Sequence, residues 1–450
     1  MARPRRRTGR PRPAPDAPET VETVETVEAE MTITGLAHGG DGVGRLPDGR
    51  ACFVPFALPG ERVRVRVVEQ RKRYARARLE EVLEPSADRV APPCPYFGPG
   101  RCGGCQLQHA APQAQARMKA EIVRDLLRRI GGIEDPPVDA VISVPPLGYR
   151  STARFAVDAS GRLGFRRAGS HEVQPVDRCL LLDPATQQLR ERAADGWGGA
   201  AEVTVRTGGG EGALLVKPAG RARRQQLGPD PLPPERPPEL PPELHVVLLD
   251  GAPPADGRGA VTVTVSGFDL RVSPGSFFQP GPHGAALLLA QVRQAAAVRP
   301  GDVVLELFAG VGLFTRGLAQ DGAAVTAVEA SPAAAADLAS NVAGSATRVV
   351  AGDAAEAVAG VHDARQVVDV VVLDPPRRGA GRQLSESVAG LGARTVVYVA
   401  CDPAALARDA ATLLRCGYDL TRVVPVDQFP QTATIEAVAT FSRRAGEPGA

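Results

Sequence analysis

Cys401 and Glu436 are the two side chains whose types and positions best suit covalent chemistry. Cys401 follows the β-branched run Val396-Val397-Tyr398-Val399-Ala400 and is followed at once by Asp402-Pro403 and a helical stretch. Asp402 suits an N-cap and Pro403 a first turn, so the thiol is expected at a helix N-terminus, at the carboxyl end of a strand. There the helix dipole is expected to favour thiolate and lower a pKa that is about 8.5 in a free cysteine. A small buried apolar residue is the plainer role for such a cysteine.

The elements that would position these groups lie upstream. Val303-Val304-Leu305-Glu306-Leu307-Phe308-Ala309-Gly310-Val311-Gly312 reads as strand, glycine turn and helix, which lets backbone approach a ligand at the helix N-terminus. It is not the dinucleotide fingerprint, because Thr315 stands where a third glycine belongs. The next strand ends in Glu329, an acid able to accept hydrogen bonds from both ribose hydroxyls. Asp353 is expected to end a third strand and Asp374-Pro375-Pro376 a fourth; with Glu306 included, acids mark four successive strands. This layout resembles an S-adenosylmethionine-dependent methyltransferase, with acids at the ribose, the adenine amine and the methionine end.

Cys94, Cys102 and Cys105 fall in a short glycine-rich stretch that is a poor core element. Three thiolates need a fourth ligand, with Cys179 the best candidate and His109 the alternative. Zinc and a four-iron cluster both accept four cysteines, and spacing alone barely separates them. Cys52 and Cys416 read as structural.

Net charge is only +2, with 53 Lys and Arg against 51 Asp and Glu, but nearly every cation is arginine. Residues 1–30 read as a disordered basic tail. Residues 31–87 read as a small β-barrel, in which Arg62, Arg64 and Arg66 alternate with Val63, Val65 and Val67. The arginine face, extended by Arg71, Lys72, Arg73, Arg76 and Arg78, is expected to bind nucleic acid. Residues 88–271 form a central domain interrupted by the proline-rich stretch 229–242, and 272–450 form the catalytic domain. A helix is expected over about 110–130, and part of 110–140 could pack on the catalytic domain. No run of ~18 apolar residues and no apolar leader is present, so a cytoplasmic protein without a membrane partner is expected.

Taken in order, these pieces resemble the RNA (uracil-5)-methyltransferases of the RumA/TrmA family over nearly the whole ordered length. Residues 31–85 are similar to a TRAM domain, an OB-like barrel. Ser276-Phe277-Phe278-Gln279, Asp374-Pro375-Pro376-Arg377-Arg378-Gly379, Cys401-Asp402-Pro403 with Arg408-Asp409, and Phe429-Pro430-Gln431-Thr432 before Glu436 match its catalytic motifs. The resemblance implies an α/β chain with a Rossmann-like class I methyltransferase domain, the TRAM barrel and a central α+β iron–sulfur domain. It implies Cys401 as nucleophile and Glu436 as base. It implies Gln279, Phe308, Gly310, Glu329, Asp353 and Asp374 at S-adenosyl-L-methionine, and Cys94, Cys102, Cys105 and Cys179 at a 4Fe-4S cluster. The expected substrate is a uridine in RNA, 23S ribosomal RNA ahead of tRNA, and the expected state a monomer. An exocyclic-amine methyltransferase is a rival, but those usually carry an aromatic where Arg377 stands. A catalytically silent RNA-binding protein is another, opposed by the presence of both Cys401 and Glu436. Three positions depart from the family pattern: Asp402 for Asn, Thr434 for His, and Leu313 for an Asn of some members.

Overall fold

The computed structural model describes residues 27–193, 196–220, 245–248 and 259–445. The arginine-rich start up to residue 26 and the proline-rich stretch 229–242 lie outside the described residues. The chain divides into two compact units, one running to Ala87 and the other carrying Asp88 onward with His38–Gly40.

In the first unit, β1 (Glu28–Leu36), β2 (Gly42–Arg45), β3 (Ala51–Val54), β4 (Arg62–Gln70) and β5 (Tyr74–Glu84) close into a barrel. The first strand therefore already begins within the stretch read as tail. Val63, Val65 and Val67 of β4 point into a core with Ile33, Cys52 and Val54, so the period-2 pattern decides which face is buried. The outward arginines do not make the basic surface expected of them. Arg62 pairs with Glu30 at 2.9 Å and Glu84 at 2.8 Å, Arg64 with Glu30 and Glu81, and Arg66 with Glu28 and Glu80 at 3.2 Å. The register puts Glu28 opposite Arg66 and Glu30 opposite Arg64, so the face is a charge-balanced ladder. Among the described residues, Lys72, Arg73 and Arg78 are the cations of this stretch that form no ion pair.

The second unit is built on an eight-stranded sheet of β6 (Ile142–Ser143), β15 (Val303–Leu307), β16 (Ala324–Glu329), β17 (Arg348–Ala351), β18 (Val370–Leu373), β19 (Thr395–Ala400), β20 (Tyr418–Asp427) and β21 (Glu436–Arg443). Their order is β17-β16-β15-β18-β19-β21-β20-β6, and β21 alone runs against its neighbours. Val370–Leu373 and Val396–Val399 are continuous apolar runs because helices cover both faces of a parallel sheet. One face packs on α3 (Pro282–Ala296), α4 (Leu313–Gln320), α5 (Pro332–Asn341) and the hairpin β13 (Val261–Val265) and β14 (Phe268–Val272). The other packs on α6 (Ala354–Asp363), α7 (Gly381–Gly390) and α8 (Pro403–Arg415), joined by Val123 and Leu127 of α1 (Pro112–Arg129).

A second sheet, order β12-β11-β10-β7-β8-β9, holds β7 (Thr152–Val157), β8 (Leu163–Arg166), β9 (Val173–Pro175), β10 (Ala200–Gly208), β11 (Glu211–Pro218) and β12 (His245–Leu248). Its core packs on α2 (Pro184–Arg192) through Leu189. No described helix is long and apolar enough to cross a membrane.

α1 is fastened by more than apolar contact. Lys119 is fully buried and donates from Nζ to Asp427 Oδ1 at 2.7 Å and to the Phe429 carbonyl at 3.0 Å. Removing one partner of such a pair strands a buried charge, at a typical cost of 3–5 kcal/mol, roughly. Lys119→Met is therefore expected to lower the denaturation midpoint strongly, while Lys119→Met with Asp427→Leu recovers most of the loss. Equal destabilisation by the single and double variants in urea titrations would show that the charge pair is not the cause.

Candidate active site

Strand order reverses between β15 and β18, so the loops leaving their carboxyl ends part and open a crevice where α/β sheets bind ligands. On the β15 side, Phe308, Gly310 and Gly312 take positive φ of 63°, 57° and 94°. A left-handed phenylalanine is a strained residue of the kind that clusters at functional sites. Gly312 also has a packing reason, since a Cβ there would lie 2.7 Å from Leu338 Cδ1 of α5. Glu329, ending β16, accepts from the Gly310 amide at 2.9 Å and the Ser331 amide at 2.7 Å, bracing the glycine turn. Asp353 lies past the end of β17, exposed, and caps α6 through the amides of Ala355 and Glu356. Glu306 is not at a strand end. It is buried inside β15, where one oxygen accepts from Thr315 Oγ1 at 2.6 Å and the other has no partner among the described residues.

Cys401 and Glu436 meet because β21 is antiparallel to β19. Ala400 pairs with Ala437, so the next residues out, Cys401 and Glu436, face each other at the end of the ladder. Asp402 caps α8 through the Ala405 amide at 2.8 Å, with Pro403 in the first turn. The cap forms as expected, but the thiol is not acidified. Burial pushes Cys401 up to about 12, helped by the negative charges of Glu436 and Asp374 and opposed by Arg377. The dipole of one exposed helix end is worth up to ~1 kcal/mol and is outweighed here. Burial likewise raises Glu436 to about 8, with Asp374 adding to it and Arg377 opposing. Asp374 rises to about 7 by burial alone.

Gln279 is buried on the facing side, its Oε1 accepting from Gln428 Nε2 at 3.0 Å. The turn before it is held from both flanks. Arg206 of β10 donates to the carbonyls of Ser273 and Ser276 at 3.0 and 2.9 Å. Asp337 of α5 accepts from the Ser273 amide at 2.8 Å and from the hydroxyls of Ser273 and Ser276 at 2.6 and 2.8 Å. Asp409 does the same for the Asp374–Gly379 loop, accepting from the Ala380 amide at 2.8 Å and Tyr398 OH at 2.7 Å.

Cys94, Cys102, Cys105 and Cys179 line one cavity of about 210 Å³ together with Arg150 and Arg178. His109 is outside that lining, buried with its ring stacked on Phe97. Among the described residues no three His, Cys, Asp or Glu side chains form a group that could hold a metal ion. A tetrahedral zinc with bonds of about 2.3 Å would draw its sulfurs together. Four soft thiol donors line this cavity with no carboxylate among them, a donor set that both zinc and an iron–sulfur cluster accept. Of the remaining thiols, Cys52 is in the barrel core and Cys416 is exposed at the C-cap of α8.

Similar chains are RNA methyltransferases. A family model described as tRNA (uracil-5-)-methyltransferase matches residues 259–444, and one described as TRAM domain matches 22–79. An uncharacterized RNA methyltransferase of Streptomyces avermitilis is 38% identical over 432 residues, covering 91% of this chain and 97% of the relative. The 23S rRNA (uracil(1939)-C(5))-methyltransferase RlmD of Alkalilimnicola ehrlichii is 36% identical over 434 residues, covering 92% and 97%. The chain belongs to the RNA (uracil-5-)-methyltransferase family. It is an S-adenosylmethionine-dependent RNA methyltransferase. The tRNA (uracil-54, C5)-methyltransferase of Pyrococcus abyssi, solved with S-adenosyl-L-homocysteine, shares the fold at a TM-score of 0.66 and 22% identity, over 92% of this chain and 100% of that one.

Arg206, Asp337 and Arg377 are the groups of this methyltransferase that sequence reading missed. Arg377 enters the sequence reading as part of a matching motif and for not being aromatic, without a role of its own, yet it is the cation that opposes the rise of both Cys401 and Glu436. Arg206 and Asp337 carry no local signal at all; only the fold brings them to one turn.

Glu306 gives the site a pH signature. Burial raises it from 4.5 to about 8, so the folded protein keeps a proton that the unfolded chain has already lost. Stability linked to this group is therefore full below about pH 4.5 and declines as pH rises through about 8. Ligand-free wild type is expected to lose more unfolding free energy between about pH 5 and about pH 9 than Glu306→Gln, by up to a few kcal/mol, roughly. Urea titrations at both pH values measure this, and parallel declines in the two proteins would mean that Glu306 ionises freely.

Proposed function

We propose that this methyltransferase acts at C5 of a uridine in 23S ribosomal RNA, through a covalent adduct between Cys401 and C6 of the base. The observation that carries the reading is the pairing of Cys401 with Glu436 across the end of the β19–β21 ladder, beside the switch-point crevice. Relatives named for 23S uracil-C5 methylation, more than one of them 36% identical, support the ribosomal substrate.

Uracil C5 is a weak nucleophile. Addition of Cys401 Sγ to C6 makes an enolate whose C5 is electron-rich, the gain of nucleophilic catalysis. When bound, S-adenosylmethionine supplies the electrophilic methyl group that C5 takes. Glu436 then removes the C5 proton, the C5–C6 double bond re-forms, and the sulfur leaves. The high pKa of Glu436 suits a base working near neutral pH. The thiol, by contrast, needs help to ionise. Removing it from the field of Asp374 and Glu436, by protonating them or by a cation beside them, lowers its pKa. Gln279, Phe308, Gly310, Glu329 and Asp374 line the way to the cofactor's place in this reading. Asp353 belongs to the same row, although its carboxylate is engaged as a cap.

The four-cysteine cavity holds a 4Fe-4S cluster in this reading, with Cys94, Cys102, Cys105 and Cys179 as its ligands. The methylation has no redox step, so the cluster serves structure or the positioning of RNA. Anaerobically purified protein is expected to be brown with about four irons per chain. Stoichiometric zinc without visible absorbance would overturn the assignment.

Two variants test the chemistry. Cys401→Ala is expected to bind S-adenosylmethionine normally and to abolish methylation, and it should escape covalent trapping by 5-fluorouridine RNA, which captures wild type. Glu436→Gln keeps the shape without the basicity, and should accumulate a methylated protein–RNA adduct on ordinary uridine. Denaturing gels decide: near-normal turnover without a slow band removes Glu436 from this role. Mass spectrometry of 23S and transfer RNA from a deletion strain separates the ribosomal substrate from a tRNA one.

A further inference from the structure

The loop between β20 and β21, residues 428–435, ends at Glu436 and has no regular structure of its own over most of its length. Its backbone is nevertheless gripped from outside. The Gln431 carbonyl accepts from the amides of Gln106 and Leu107 at 3.1 and 3.0 Å. The Gln431 amide donates to Gln115 Oε1 of α1 at 2.8 Å. The Ala433 amide donates to Gln106 Oε1 at 3.2 Å, and Tyr149 OH donates to the Pro430 carbonyl at 3.0 Å. Gln431 itself has φ of 71°, a conformation that these bonds hold against its steric preference.

Gln106 directly follows Cys105, and its Nε2 donates to the Gly103 carbonyl at 2.8 Å, between Cys102 and Cys105. One side chain thus joins the turn that carries two of the four thiols to the loop that carries the base. Arg150 makes a second link: it lines the cysteine cavity and lies 5.6 Å from the Phe429 ring centroid. Nothing in the covalent chemistry requires this connection.

We propose that Gln106 is a positioning residue for Glu436, through which the four-cysteine segment keeps the 428–435 loop in register for removal of the C5 proton. The inference rests on Glu436 being the base. It makes the release step, and not methyl transfer, depend on the state of the thiol site. Loss of what the thiols hold frees the turn at Gly103, then Gln106, then the Ala433 amide, while the Cys401 side of the crevice keeps its own supports on α8.

The test uses the full chain with Gln106→Ala, Gln106→Glu and Glu436→Gln. Gln106→Ala is expected to keep the iron content and cofactor affinity of wild type and a single-turnover methyl-transfer rate within about twofold. Release should slow by about tenfold or more, giving a methylated adduct on denaturing gels. Gln106→Glu keeps an acceptor for the Ala433 amide but loses the donor to the Gly103 carbonyl, so it should restore slow Ala433 exchange while recovering only part of the release rate. Hydrogen exchange supplies a reading independent of activity: the amide of Ala433 should exchange about fivefold faster in Gln106→Ala, as loss of one hydrogen bond implies. Chelation of the metal from wild type should do the same. Wild-type release in Gln106→Ala overturns the proposal, and so does equal slowing of methyl transfer and release with faster exchange throughout the unit. Absence of an adduct in Glu436→Gln sinks the base assignment itself, and is read in a different variant.

Discussion

Acidic groups crowded into a partly buried crevice are the constraint that the site answers to. Glu306, Asp374, Glu436 and Cys401 lie on adjoining strands or at their ends, and burial raises each above its ordinary pKa. Among the described residues, Arg377 is the cation opposing the rise at both Cys401 and Glu436, and it is itself exposed. Such a site is costly without a ligand and is complementary to one that carries positive charge. A sulfonium cosubstrate meets that requirement, and an uncharged product does not. The electrostatics that leave the free thiol protonated are those that a cationic ligand relieves.

The reversed strand brings a thiol and a carboxyl group together beside this crevice. Parallel strands all present their carboxyl ends to the crevice, so a parallel β21 would have sent its first residue to the opposite edge of the sheet. Running antiparallel, it begins where β19 ends, and Glu436 arrives opposite Cys401. The cost of this topology is a connection from β20 that must turn back at the mouth of the site. It is held by a buried amine, two glutamines and a tyrosine from outside the strands it joins. The strands alone set the pairing, while the neighbouring segments set the register of the loop.

What was legible in the sequence follows from what is local. The runs at 303–307, 370–373 and 396–400 announce buried strands by composition, and the turn after Leu307 announces itself by its glycines. Helix α1 and the cap at Asp402 are short-range chemistry and appear where their residues place them. Glu306 shows the limit of counting. It falls one residue before the strand's last position, and period-2 alternation sends it into the core toward Thr315 and not into the crevice mouth. Arg206 with Asp337, and Lys119 with Asp427, join residues far apart in the chain, so no window of sequence contains both partners. The pKa of Cys401 departs from the sequence expectation for a related reason: the helix dipole is a local property, but burial and the charges of Glu436 and Asp374 come from the fold.

The barrel shows the same difference in its charges. Read along β4, Arg62, Arg64 and Arg66 make a basic stripe; read across the sheet, β1 and β5 place glutamates against every one of them. Exposed pairs of this kind are each worth 0–1 kcal/mol, roughly, so a phosphate could displace a carboxylate. The displaced glutamates would remain beside the phosphate and repel it, which removes most of the gain. Attraction for an RNA backbone in this unit therefore has to come from cations with no such neighbour. Lys72 and Arg73 stand at the β4–β5 turn, and Arg78 lies in register opposite Arg66, whose own charge is already met by Glu28 and Glu80, which leaves Arg78 to seek an outside anion.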